Sequence, residues 1–369
     1  MRAEDEVFKY ADELGPEKVL YVYDPKVKLR GVLVVDNTAI GPAIGGVRMA
    51  PNVTTEEVFR LARAMTLKNA AAGLRHGGGK GGIVADPSAL DKNDLIRAYA
   101  RGIAPVTDYI PGPDMGTDER SMAIILDEIG RAVGLPHELG GIPLDEIGAT
   151  GYGVAVCAEV ACKHLQIDLS GATVAIEGFG AVGKAAVRFL SERGARVVAV
   201  SDSKGGTYNP AGLGYEALFK TKLATGSVKD CPGGKQIPGP DLFGLKVDIL
   251  VPGARPDVIT EDNAADVQAK IVIEAANIPA TVRAEMMLHS RGVLVVPDFI
   301  ANAGGVIAAA VEYRGGTIDE AMETIRSKIS ENTKIVLETA WEKKKIPREA
   351  AEEIAKNRVV KSMRYRGRL

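Results

Sequence analysis

Residues 174–183 read Val174-Ala175-Ile176-Glu177-Gly178-Phe179-Gly180-Ala181-Val182-Gly183, an apolar run that leads straight into a Gly-x-Gly-x-x-Gly turn and then into a helical pattern. Three glycines alone mean little, but the order strand, turn, helix is what a dinucleotide-binding fold needs. The glycines permit a tight turn and close backbone approach, and the helix N-terminus faces the pyrophosphate. The next strand ends at Ser201-Asp202, near the distance at which such folds place a ribose-binding acid. Residues 178–183 are therefore expected to hold NAD or NADP. Asp202 is suited to the ribose hydroxyls, whereas Ser203 and Lys204 are suited to a 2′-phosphate, and the sequence leaves both open.

Downstream of this motif, VVAVSD, VDILVP, IVIEAAN and VLVVPDFI alternate with helical stretches, which implies a parallel sheet buried on both faces. Upstream, YVYDP and GVLVVDNTAI read as strands. Thr54-Thr55-Glu56-Glu57 reads as a capped helix start, with Val58, Leu61, Ala62, Met65 and Ala72 at helical spacing. A glycine-rich HGGGKGG follows, then a strand at GIVADP, and the Pro/Gly cluster YIPGPDMGT interrupts the pattern. The turn-rich stretch 136–150 marks a crossing into a second domain. From Ile318 the chain is almost wholly helical, an ending able to return to the first domain. The expected fold is α/β with two domains: residues 1–145 plus about 335–369, and a Rossmann domain over 146–334.

Composition narrows the function. At 369 residues the chain exceeds what one core usually serves, and a net charge of −2 gives no field for attracting nucleic acid or an anionic membrane. The opening MRAEDEVFKYADELG is acidic where a secretory leader needs a basic start, and no stretch approaches the roughly 20 apolar residues of a membrane span. A cytoplasmic location and a small-molecule substrate are expected. Three cysteines form no CxxC pair and four histidines form no HExxH, so no metal site is expected.

Catalytic chemistry must then use other groups. Lys80 sits inside GGGKGG, which lacks the spacing of a phosphate-binding P-loop. A lysine so placed can act as a base if burial and a second cation lower its pKa, and Lys68 is a candidate for that cation. Asp114, in PGPDMGT, is a carboxylate held in a rigid turn, and Asn302 lies in FIANAGGV. Taken singly, these residues read as surface charges, turn residues or caps.

Together with the dinucleotide motif, they resemble the glutamate/leucine/phenylalanine/valine dehydrogenase family. Its pattern appears in order in GPAIGGVRMAP, MTLKNAAAGL, GGGKGGI, PGPDMGT, ATGYGV, GFGAVG, VSDSKGG, EAANIPAT and NAGGV. The resemblance implies a catalytic domain built from both chain ends, a Rossmann domain between them, and a homo-oligomer, hexameric or octameric. It implies that Lys68 binds the substrate α-carboxylate, that Lys80 activates water, and that Asp114 relays protons. It also implies that Asn302 holds the substrate near the nicotinamide, with Thr150 and Asn277 beside the cofactor. The reaction implied is reversible oxidative deamination of an L-amino acid to a 2-oxo acid and ammonia.

The resemblance also bears on the substrate. Glutamate-specific members place a lysine where GPAIGG has Ile44, next to Gly45, and a serine where NAGGVIAA has Ala309. With Ile44 and Ala309, the expected substrate has a branched-chain or aromatic side chain; the alternative is glutamate, with another basic residue serving its carboxylate. His76 and VPGARPDV depart from the usual pattern, the first bearing on pocket polarity and the second on the loop beside the cofactor. Two further readings are a nucleotide-sensing protein without activity, which has no need of Lys68, Lys80 and Asp114 together, and a hydroxy-acid dehydrogenase, which relies on a histidine in a setting absent here.

Overall fold

A computed structural model describes residues 9–369; residues 1–8, which carry part of the leader reading, lie outside it. The described chain divides into two compact units, one of residues 9–143, 306–321 and 352–369 and the other of 144–305 and 322–351. The chain therefore changes unit near 143, 305, 321 and 351, which corrects the expected single return near 335. Two long helices, Ile318–Lys343 and Pro347–Tyr365, each give residues to both units. Helical periodicity reveals such helices but not where along them the neighbours change. Among the described residues, no helix is long and apolar enough to cross a membrane.

The first unit holds a mixed sheet in the order β1 (Lys18–Asp24), β2 (Leu29–Asn37), β4 (Gly77–Val84), β3 (Ala43–Ala50) and β5 (Tyr109–Pro113). β2 runs antiparallel to β1 and β4, while β3 runs parallel to β4 and β5. Two sequence expectations are corrected here. The glycine run is itself the central strand β4, and the Pro/Gly cluster supplies β5. Glycine disfavours strands, but at these positions neighbours leave no room for a side chain. A Cβ on Gly78 would meet the Thr66 nitrogen at 2.0 Å, and one on Gly81 would meet the Tyr99 hydroxyl at 2.5 Å.

On one face, Leu29, Leu33, Met49, Ile83, Ile96, Tyr99 and Tyr109 form the main core. On the other, helix Thr55–Ala71 packs Val58, Phe59 and Ala62 against Val32 and Val34. That helix starts where the sequence expects, with Thr54 accepting the Glu57 N–H. Near its end, the Arg358 guanidinium donates to the Ala70 and Ala71 carbonyls, satisfying acceptors that a helix C-terminus leaves open. The last stretch of the chain thus braces this unit.

The second unit holds seven strands in the order β12 (Leu294–Val296), β11 (Ile271–Ile273), β10 (Ile249–Pro252), β6 (Thr173–Glu177), β7 (Arg196–Asp202), β8 (Gly205–Tyr208) and β9 (Lys235–Ile237). From β12 to β7 all neighbours are parallel, and β8 and β9 close the edge antiparallel. Val174, Ala175, Ile176, Ile249 and Val272 are fully buried, as expected for strands covered on both faces. The chain leaves β6 towards β7 on one side and later fills β10 on the other. The strand order therefore reverses at β6, the switch point where ligands bind in open α/β sheets.

Candidate active site and cofactor site

In the first unit, three adjacent parallel strands bring Lys80, Arg48 and Asp114 together: Lys80 on β4, Arg48 on β3, and Asp114 directly after β5. The Lys80 ammonium lies 2.7 Å from Asp114 Oδ2, and Arg48 Nε donates to the same oxygen at 3.1 Å. Arg48 also bonds Glu57 at 2.5 Å. The turn that carries Asp114 is pinned by Thr117, whose Oγ accepts the Asp114 N–H and donates to the Val47 carbonyl.

Burial pushes the Lys80 amine below an ordinary lysine; Asp114 opposes this, and the Arg48 charge adds to it. For Asp114, burial alone would raise the carboxyl. The Lys80 charge and hydrogen bond, with Arg48, outweigh it and hold the group below the usual carboxylate range. The result is an amine eased towards its neutral form beside a firmly ionised acceptor, an arrangement suited to taking and returning a proton. The cation set against Lys80 on this carboxylate is Arg48, where the sequence pointed to Lys68. Arg48 stands inside the motif GPAIGGVRMAP, so the signal was present, but its role depends on a strand pairing no local pattern reveals. Lys68 is half-buried in the last turn of its helix, and the next residue, Asn69, donates to the Gly77 and Ile44 carbonyls.

Ile44 and Ala309 are also brought together. With Ile110 and Val133 they form a small buried apolar cluster. Gly45 beside Ile44 permits a close strand contact, since a Cβ there would lie 1.8 Å from the Gly79 carbonyl oxygen. His76 is buried, with Nδ1 3.2 Å from the Pro42 carbonyl and its ring edge-on to Tyr313. Burial pushes its pKa below the usual histidine value, so at neutral pH the ring is uncharged. Glu312, unremarked in the sequence, is buried on helix Gly304–Tyr313 and accepts the N–H groups of Leu135 and Ile142.

In the second unit, the three glycines of the fingerprint have separate duties. Gly178 adopts φ +98, a conformation side chains disfavour. A Cβ on Gly183 would lie 1.9 Å from the Gly178 carbonyl oxygen, while one on Gly180 meets nothing within 4 Å. The turn is tight at its ends and open at its middle, at the N-terminus of helix Ala181–Glu192, so the residues fit a dinucleotide pyrophosphate. Phe179 is buried, Ala181 and Val182 begin the helix, and the Gly178 N–H donates to the Ser201 carbonyl. The fingerprint thus sits against the end of β7, where Asp202 is followed by the exposed Ser203 and Lys204. Glu177, which the sequence reading passed over, turns inward and accepts the Gly253 and Ala254 N–H groups. It tethers the VPGARPDV loop.

Asn302 donates from Nδ2 to the Ala275 and Ala276 carbonyls and to Asn277 Oδ1 at 3.1 Å, so these two asparagines are neighbours. Thr150 lies beside the Gly304-Gly305 pair, its Oγ 3.1 Å from where a Gly305 Cβ would stand.

Comparison with known proteins decides the family. The Glutamate/Leucine/Phenylalanine/Valine dehydrogenase model matches residues 140–367, and the Glu/Leu/Phe/Val dehydrogenase dimerisation domain matches 16–131. The chain belongs to this family. Glutamate dehydrogenase of Aeropyrum pernix is 45% identical over 357 residues, covering 90% of this chain and 85% of that protein. The hetero-hexameric glutamate dehydrogenase of Thermus thermophilus, in a Leu-bound form, superposes with a TM-score of 0.84 at 33% identity, over 97% of this chain and 92% of that one. L-tryptophan dehydrogenase of Nostoc punctiforme superposes with a TM-score of 0.77 at 26% identity, over 97% and 99%. The chain is thus an NAD(P)-dependent amino-acid dehydrogenase, an oxidoreductase with a family dimerisation domain and a Rossmann-like domain.

Proposed function

We propose that this dehydrogenase reversibly deaminates an L-amino acid with an apolar side chain, branched or aromatic, to its 2-oxo acid and ammonia. The observation that carries this reading is the Ile44–Ile110–Val133–Ala309 cluster. The family resemblance puts Ile44 and Ala309 where glutamate-specific members hold the side-chain carboxylate, and no charge exists on these four residues to receive one. Burying an unpaired carboxylate there would cost several kcal/mol. His76 adds no positive charge at neutral pH.

In this reading Lys68 holds the α-carboxylate, Lys80 takes the proton of the attacking water, and Asp114 accepts and returns protons as the amine departs. The dinucleotide, held by residues 178–183 with Thr150, Asn277 and Asn302 alongside, supplies the acceptor for the hydride from Cα. The enzyme would work in the cytoplasm as a homo-oligomer, hexameric or octameric; the Thermus relative is a hetero-hexamer.

Glutamate is the second reading, and the relatives' names back it more strongly than they back an apolar substrate, the Aeropyrum enzyme above all. It requires a basic group elsewhere to meet the side-chain carboxylate. A reductive amination assay with ammonia separates the two, using 4-methyl-2-oxopentanoate, phenylpyruvate, indolepyruvate and 2-oxoglutarate. Turnover of an apolar oxo acid, with the Ile44→Lys/Ala309→Ser double variant gaining activity on 2-oxoglutarate, is the expected result. A clear preference of the unaltered enzyme for 2-oxoglutarate would establish the glutamate reading instead.

A further inference from the structure

β7 and β8 form a hairpin, with Asp202 opposite Gly205 and Ser203-Lys204 at its exposed tip. In dinucleotide-binding folds that favour NAD, an acid at this point accepts the ribose hydroxyls. Asp202 is not available for that. Its side chain is only 5% exposed, and it already accepts four hydrogen bonds. Oδ1 takes the Lys204 N–H at 2.9 Å and the Ser227 hydroxyl at 3.0 Å, while Oδ2 takes the Lys222 ammonium at 2.7 Å and the Val228 N–H at 2.8 Å. A carboxylate offers about four acceptor positions, so nothing remains for a sugar hydroxyl without breaking one of these bonds. Three of these four bonds tie the hairpin to the segment 222–228, which gives the aspartate a structural role.

The charge left around the tip is positive. Lys222 neutralises Asp202, and Lys204 carries its amine over the neighbouring turn, 2.9 Å from where a Gly226 Cβ would stand. The Lys229 stem passes close to Gly205. The nearby acid Asp230 accepts from Gln236. The Ser201 carbonyl accepts the Gly178 N–H, so the strand end that leads into this basic tip stands beside the first glycine of the fingerprint.

We propose that this chain selects NADP(H) over NAD(H), with the Ser203-Lys204 tip receiving the 2′-phosphate, Lys222 cancelling the Asp202 charge, and Asp202 serving as a hairpin tie. The proposal rests on the dehydrogenase reading of the glycine fingerprint. A phosphate monoester dianion gains charge-assisted hydrogen bonds from Lys204 and from the Ser203 hydroxyl, and a bare 2′-hydroxyl gains neither.

The test is binding rather than turnover: calorimetric titration of the purified enzyme with NADPH, NADH, 2′,5′-ADP and 5′-ADP. The expected result is tighter binding of NADPH than NADH and of 2′,5′-ADP than 5′-ADP, by about tenfold or more. Lys204→Glu, at an exposed position, should erase that preference and leave NADH affinity within about twofold. Lys222→Ala should weaken NADPH while NADH binds as well or better, because it uncovers the Asp202 charge. Tighter binding of NADH by the unaltered enzyme, or equal loss of both dinucleotides in Lys204→Glu, would overturn the proposal while leaving the dehydrogenase reading intact. Binding of neither dinucleotide would overturn both.

Discussion

Each unit contains an ion cluster, and their charge balances differ: in the first Lys80 and Arg48 are matched by Asp114 and Glu57, and the second is acidic. In the first, two cations, Lys80 and Arg48, share the single oxygen Asp114 Oδ2, at a place where Asp114 retains 21% side-chain exposure. In the second, one cation serves three carboxylates: Arg348 reaches Glu274 at 2.7 Å, Glu285 at 2.6 Å and Asp298 at 3.1 Å, all at most 9% exposed. Burial and the Arg48 charge ease a proton off Lys80 against the pull of Asp114 and Glu57, while burial and surplus acid hold a proton on Glu274. The first cluster therefore suits proton exchange. The second ties together the residue directly after β11, helices Val282–Ser290 and Asp298–Ala301, and the start of helix Pro347–Tyr365. It stabilises shape rather than reactivity. Asp298 also accepts the Ile278 N–H, so the cluster reaches the segment that carries Asn277.

Four substitutions would break or sharpen this contrast. Lys80→Ala should lower kcat by about 10²–10⁴-fold, the range for losing a positioned acid–base group, yet change thermal stability little, because Asp114 keeps Arg48 as its partner. Steady-state kinetics with a thermal melt checks both halves. Arg348→Met should do the reverse, costing roughly 3–5 kcal/mol of stability by leaving three buried acidic side chains without their cation. Chemical denaturation measures it, and an unchanged midpoint would show the cluster to be dispensable.

Arg48→Leu removes the second cation and leaves Asp114 to Lys80 alone, so the Lys80 pKa should rise and the rising limb of the pH–rate profile should move to higher pH. The smallest effect is expected from Glu274→Gln. The folded pKa of Glu274 is raised, so its contribution is fully present below the ordinary glutamate value and fades as pH rises through the raised one. A neutral amide does not titrate. The variant should therefore gain melting temperature relative to the unaltered protein as pH increases, and a constant difference across pH would contradict the protonated assignment.

The parts of this molecule that a reader of the sequence can find are those encoded locally. The fingerprint 178–183, the Thr54 cap and the parallel strands of the second unit each follow from residues within a few positions of one another. The glycine run 77–82 misleads, because its strand conformation is enforced by Thr66, Tyr99 and Tyr109 from elsewhere in the chain. Lys80 and Asp114 are legible as candidates, yet their pairing and the part played by Arg48 depend on the order of β4, β3 and β5. Asp202 looks free in VSDSKGG because three of its four donors include Lys222, Ser227 and Val228, some 20–26 residues downstream. Arg348 looks like a surface residue in PREAAEEI and is instead the centre of a buried cluster.

The central claim is that Lys80 works as a base because its surroundings lower its pKa. The most direct measurement is the pH dependence of kcat/KM for oxidative deamination by the unaltered enzyme. A rise governed by a group titrating below the ordinary lysine value of 10.5 is expected, lost together with activity in Lys80→Ala. A profile rising only at or above that value, or a Lys80→Ala enzyme with full activity and the same limb, would contradict it.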